Sequence, residues 1–202
     1  MQPTLPNIPR ANHSNRGKDF ESEIERTNEY YRVKGWAVIY RNPLHWQPIS
    51  EGRALSMLSN KQISPRLLAK TVDGRWLQAV RSQVDFSGSW HGHSIAFDCK
   101  ETKGKSIPLA NFKPHQVEQL CDTQRCGGLA GFMIFFSDLK RAFFVKAEIV
   151  RETIDAADFK RGRKSLALAC LEEKAIEIPC SQHLIDWNQG LKNEIPFWIH
   201  ED

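Results

Sequence analysis

The 202-residue sequence predicts an α/β fold, a sandwich of helices around a mixed sheet. Three observations predict it. "SQVDFSG" at 82–88 and "HSIAFDCKE" at 93–101 alternate apolar and polar side chains with a period of two, as paired strands do. "GLAGFMIFFSD" from Gly128 and "RAFFVKA" from Arg141 are apolar almost throughout, as strands buried on both faces are. Stretches of helical periodicity stand before, between and after these strands.

The elements follow in order. Residues 1–15, "MQPTLPNIPRANHSN", carry three prolines and few large apolar groups, and read as a mobile arm. From Gly17 a helix is predicted, with Phe20, Ile24 and Asn28 on one stripe, Thr27 and Tyr31 beside it, and Glu21, Glu23 and Glu25 elsewhere. Gly35 ends it, and "WAVIYR" is a short strand. Residues 43 to about 80 break the rhythm. They contain Pro43, Pro48 and Pro65, no strong strand, and scattered basic residues, so they read as an excursion from the core. After the two alternating strands, "PHQVEQLCDTQ" at 114–124 is helical, with Pro114 in its first turn. The two apolar strands are joined at Asp138, Leu139 and Lys140, a helix covers 147–158, and "KRGRKSLA" follows as a basic loop. The organisation is an arm at 1–15 and one domain at 16–202 carrying an insertion at about 43–80.

Composition narrows the function classes. The net charge is +4, compatible with a polyanionic partner without demanding one. The five cysteines are odd in number, with no Cys-x-x-Cys pair, which fits a reduced cytoplasmic protein. Cys121 and Cys126 with His115 lack the four-ligand spacing of a zinc site. No apolar run is long enough to span a membrane.

The chemistry-bearing pattern lies in the alternating strands. Asp98 and Lys100 leave the same face of one strand, with Asp98 between the apolar Phe97 and Cys99. In "QVDFSG", Val84 and Phe86 flank Asp85 in the same way. A hairpin centred on Gly92 sets Asp85 opposite Asp98, with Cβ atoms about 5 Å apart. Like charges there destabilise a sheet, so unless one acid is protonated a cation must join them. Lys100 is one candidate. A divalent metal is the better one, since paired carboxylates suit Mg²⁺ or Mn²⁺.

Asp85 followed by Asp98-Cys99-Lys100 resembles the PD-(D/E)xK nuclease motif. The wider chain resembles the RecU family of Holliday junction resolvases. The likeness includes "NRG" at 15–17, "FESEIERTNEYY", "AVIYRNP", "VDFSG", "FDCKETK", "PLANFKPHQVEQL" and "GRKS", which together cover most of 15–165. The resemblance implies a restriction-endonuclease-like mixed sheet flanked by helices, with a protruding stalk at the insertion. It implies a metal-dependent endonuclease that cuts four-way junctions symmetrically, leaves 5′ phosphates, and acts in recombination and repair in the cytoplasm of a bacterium, encoded by the cell or by a phage. The cofactor implied is Mg²⁺, with Mn²⁺ as the other option. The partners implied are four-way or branched DNA and a second copy in a homodimer, with no membrane.

By this resemblance Asp85, Asp98 and Gln116 are metal ligands, and Lys100 joins Asp85 and Asp98 as a catalytic residue. Its ammonium would orient water and stabilise charge at the scissile phosphate. Glu21 resembles a first-helix acid of such nucleases. Gln83 stands where the family carries a threonine and is not counted as a ligand. Arg16, Lys103, Lys105, Lys160, Arg161, Arg163 and Lys164 are the expected phosphate contacts, joined in the insertion by Arg53, Lys61, Arg66, Lys70 and Arg75. Phe132, Ile134, Phe135, Phe143 and Phe144 are expected to exceed what the core needs and to form the dimer surface. Two rival readings share the fold: a branched-DNA-binding recombination factor that does not cut, and a restriction-type nuclease.

Overall fold

A computed structural model of the chain describes residues 16–43, 45–60, 62, 67–80, 84–159, 164–181 and 184–194. The expected arm at 1–15 lies outside these residues.

The first helix, α1 (Arg16–Val33), buries the stripe that its periodicity predicts: Phe20, Ile24, Thr27, Asn28 and Tyr31 are all buried. Gly35 follows at φ +73°, a left-handed conformation that costs glycine little, and returns the chain into β1 (Ala37–Arg41). Strands β5 (Phe86–Trp90) and β6 (His93–Thr102) form a hairpin around His91 and Gly92, both at positive φ. A two-residue loop of this kind matches the twist of the strands it joins. Helix α3 (Pro114–Arg125) crosses over to β8 (Leu129–Phe136), which pairs with β6 in parallel, and β9 (Arg141–Lys146) returns antiparallel. Helix α4 (Ala147–Phe159) follows directly.

Among the described residues the main sheet has six strands in the order β1-β5-β6-β8-β9-β11, so the predicted mixed sheet flanked by helices is present. The last of them, β11 (Ile176–Ile178), was not read from the sequence. Nor was β10 (Ser165–Ala167), which lies in the predicted basic loop and pairs with β7 (Ser106–Pro108) as a small second sheet. Each strand has three residues, too few to show a period. Helices α5 (Leu168–Lys174) and α6 (Trp187–Leu191) complete the described elements.

One face of the sheet packs against α1 and α6 through Phe86, Phe97, Cys99 and Phe144. The other packs against α3, α4 and α5 through Ala96, Phe132, Ile134 and Phe143. The expectation that five apolar residues of β8 and β9 form a partner surface is therefore wrong. Phe132, Ile134, Phe143 and Phe144 are at most 1% exposed, and Phe135 is half-buried with its ring 5.1 Å from that of Phe20. A sheet covered by helices on both faces uses both sets of its side chains.

The insertion also differs from expectation, in having strands. It folds as β2 (His45–Ile49), α2 (Glu51–Ser59), β3 (Leu68–Lys70) and β4 (Trp76–Val80), and its three strands form a sheet of their own in the order β2-β4-β3. Among the described residues none of these three strands pairs with a strand of the main sheet. Pro48 disguised β2, but β2 is an edge strand, where a missing N–H is tolerated. Asp73-Gly74, with Gly74 at φ +84°, turns the chain between β3 and β4.

Candidate active site

The predicted acids meet at one end of the main sheet. Phe86 pairs with Phe97, and continuing that register by one residue sets Asp85 opposite Asp98. Strand β5 begins at Phe86, so among the described residues β6 has no strand partner beyond it on that side. The Asp85 carboxylate fills the gap, accepting the Cys99 N–H at 2.8 Å. Asp85 is thus fixed to β6 by its own side chain.

Asp98 is fully buried. It lies on the face covered by α3, where Gln116 in the first turn donates from Nε2 to Asp98 Oδ1 at 2.5 Å. Lys100 Nζ pairs with Asp98 Oδ2 and donates to Gln116 Oε1 at 3.2 Å. Asp98, Lys100 and Gln116 thus form a closed triangle. Pro114 sets the start of α3, and the register of that helix places Gln116 above the strand.

Burial pushes the Asp98 carboxyl up to about 7, with Lys100 opposing the shift and neighbouring Asp85 adding to it. Burial likewise raises Glu21, and Asp85 raises it further. On α1, Glu21 pairs with Arg41 at the end of β1. Arg41 also reaches Glu25, at 3.4 Å. The Glu21–Arg41 pair joins helix and strand residues that no local pattern links, so the sequence carried no signal for it.

The donor set is all oxygen: the two carboxylates and the Gln116 amide, the chemistry that a hard divalent cation takes. These residues fit such an ion, because two adjoining carboxylates at a desolvated sheet end carry charge that a cation would balance. Among the described residues no group of three or more His, Cys, Asp or Glu is gathered as a metal cluster. Any cation here would rest on Asp85 and Asp98 with amide or water oxygens. Gln83 lies outside the described residues.

The basic residues divide. Lys103 and Lys105 are exposed in the turn between β6 and β7, directly after the site strand. Lys164 is exposed at the far end of the β7–β10 pair, its carbonyl accepting the Leu109 N–H at 2.9 Å, while the Lys105 carbonyl accepts that of Leu168 at 2.9 Å. Arg16 is the first residue of α1. Lys160, Arg161 and Arg163 lie outside the described residues, as do Lys61 and Arg66. In the insertion, Arg53 is exposed, Lys70 pairs with Glu51 at 3.5 Å and Arg75 with Asp73 at 2.6 Å. The last two are partly neutralised by their own neighbours.

No helix among the described residues is long and apolar enough to cross a membrane.

Comparison with known proteins places these features in a family. The family described as Recombination protein U, RecU, matches residues 15–193. A protein of Streptococcus equi subsp. equi named Holliday junction resolvase RecU is 32% identical over 166 residues, 82% of this chain and 75% of the relative. Proteins of the same name from Streptococcus gordonii and Streptococcus thermophilus are 33% and 31% identical, covering 79% and 84% of this chain and 73% and 78% of theirs. With a match that spans both walls of the sheet and the Asp85, Asp98, Lys100 and Gln116 constellation between them, the chain belongs to the RecU family.

Proposed function

We propose that this protein is a structure-specific endonuclease that resolves four-way DNA junctions in recombination and repair. The observation that carries the reading is the convergence of Asp85, Asp98, Lys100 and Gln116 on one sheet end, in a chain whose relatives are named Holliday junction resolvases.

Asp85 and Asp98 would hold Mg²⁺, or Mn²⁺ in its place, with Gln116 as a third oxygen donor. Bound there, the ion supplies charge neutralisation for the phosphodiester and makes water easier to deprotonate. The protein's own groups do the rest. Asp85 is anchored to the Cys99 N–H, so its free oxygen has a fixed direction. Gln116 orients the Asp98 carboxylate from above. Lys100 brings its ammonium to both Asp98 and Gln116. On substrate binding that ammonium orients the attacking water in line with the scissile bond and stabilises charge on the phosphate oxygens. Cleavage leaves a 5′ phosphate, the end that a ligase can seal.

Lys103, Lys105 and Lys164, with Arg16, Arg161 and Arg163, would hold the duplex arms by their phosphates, positioning them without reading sequence. A junction needs two symmetric cuts, and a two-fold homodimer presents two such sites. The insertion would act as a stalk at the junction centre. The protein would work in the cytoplasm, where its DNA substrate is.

The test is incubation of the protein with a labelled four-way junction and with linear duplex, in Mg²⁺, in Mn²⁺ and in EDTA. Paired nicks in the junction arms, dependent on metal and absent from the duplex, are expected. Binding of the junction with no cutting in either metal would overturn the reading in favour of a non-cutting recombination factor.

A further inference from the structure

Asp85 lies one residue outside β5, at the point where the chain returns from the insertion. Its backbone departs from the strand pattern there. Val84 packs with Ala96 in the cluster under α3, whereas strict alternation from Phe86 would turn it to the α1 side. The segment that carries this carboxylate is therefore not held by a regular ladder.

Asn42 stands beside it. This residue follows β1 at the other root of the insertion, where the chain departs. Its N–H donates to the Asp85 carbonyl at 2.7 Å and carries the β1–β5 pairing one residue past its end. Its side-chain Nδ2 donates to the Val84 carbonyl at 3.1 Å. Its Oδ1 accepts from Ser87 Oγ at 2.9 Å, which fixes the amide's orientation. One residue thus binds three residues of the returning segment: the irregular Val84, the functional Asp85 and the regular Ser87. The following Pro43 favours an extended conformation at Asn42 and so prolongs β1 to this point.

We propose that Asn42 is a positioning residue: it clamps the two roots of the insertion and thereby holds Asp85 in register with Asp98. Aspartate at this position would keep the acceptor for Ser87 but lose the donor to Val84, and alanine would lose both. The backbone bond to Asp85 survives either change, so the fold has a tether while the carboxylate loses its aim. The inference rests on the reading of Asp85 and Asp98 as the metal site.

The experiment uses the full chain and the variants Asn42→Ala and Ser87→Ala. Mn²⁺ binding is measured by electron paramagnetic resonance without DNA, alongside thermal melting, junction affinity in Ca²⁺ and cleavage as a function of Mg²⁺. Asn42→Ala is expected to weaken Mn²⁺ binding about tenfold or more, the scale on which partners of metal ligands act. Its Mg²⁺ requirement for cutting should rise in step and kcat should fall, while junction affinity is unchanged. Ser87→Ala should shift Mn²⁺ binding in the same direction by less. If Asn42→Ala melts far below the parent, Ser87→Ala decides. Parental Mn²⁺ affinity in a folded Asn42→Ala protein, or a lowered melting point with no metal effect in Ser87→Ala, overturns the proposal. A parent protein that binds no Mn²⁺ and cuts no junction would instead sink the site reading, and this inference with it.

Discussion

Asp98 shows how a single residue is made costly and then useful. A carboxylate with no solvent exposure is expensive to ionise. Lys100 and Gln116 offset part of that cost, and Asp85 adds to it. The arrangement keeps two acids adjacent where a sheet would otherwise avoid them, as a cation site requires. Asp85→Asn and Asp98→Asn are each expected to abolish cutting, since each removes a metal-binding charge with little change of shape. Junction binding in Ca²⁺ should persist, because the proposed phosphate contacts are lysines and arginines elsewhere. Lys100→Ala should leave Mn²⁺ bound and lower kcat by about a hundredfold or more. Full cleavage by either asparagine variant, scored on a labelled junction, would remove both acids from the site. The acids and the lysine were legible in the sequence because a period of two and a hairpin count fix faces and partners. Glu21 was marked only by the family resemblance, and Arg41 and Asn42 were not legible, because their roles rest on contacts between separate elements.

At the scale of elements, legibility followed the length of the pattern. Helix α1, the β5–β6 hairpin and α3 had enough residues to show a period, β8 and β9 showed unbroken apolar runs, and all stand where the sequence put them. The three-residue strands β3, β7, β10 and β11 could not show one. The C-terminal segment was also missed, since its role rests on tertiary contacts. Trp187, fully buried at the start of α6, sets its ring against Tyr31 at 4.8 Å and Trp90 at 5.7 Å, and donates from Nε1 to Asn28 at 3.0 Å. Beside it, Tyr31 donates to Asp186 at 2.5 Å and Trp90 Nε1 to Asn188 at 2.7 Å. These bonds latch α6 across α1 and β5, next to the hairpin that carries the acids. Trp187→Ala should cost about 3–5 kcal/mol through the cavity it leaves. Trp187→Phe keeps an aromatic ring but leaves the Asn28 amide oxygen without its donor, costing about 1–3 kcal/mol. Urea denaturation measures both, and a loss below 1 kcal/mol for the alanine variant would show that α6 is not a latch.

For the whole molecule the question is what the insertion adds to the sheet that carries the site. The two have separate hydrogen-bond ladders: among the described residues β2, β3 and β4 pair with one another and not with the main sheet, to which β1 and β5 belong. The phenylalanines once expected to form a dimer surface belong to the core, so the case for a homodimer rests on the symmetry of the proposed substrate. Light scattering at micromolar protein is expected to give twice the chain mass. The insertion can be shortened without touching the site, because Ile49 of β2 pairs with Trp76 of β4. A short Gly/Ser linker replacing residues 50–75 would join these two positions as a plain hairpin and remove α2 and β3. The roots of the insertion, including Asn42, Val84 and Asp85, would keep their hydrogen bonds. Mn²⁺ binding and the dimer mass should therefore be retained. What a linear arm cannot offer is the open centre of a junction, where a protruding element fits between strands. The shortened protein should lose preference for four-way junctions over duplex by about tenfold or more, roughly 1.4 kcal/mol of discrimination. Competition binding in Ca²⁺ reads this directly. Unchanged preference would move junction recognition from the insertion to the cleft between the two sites, and residues 43–80 would then serve only as a surface appendage.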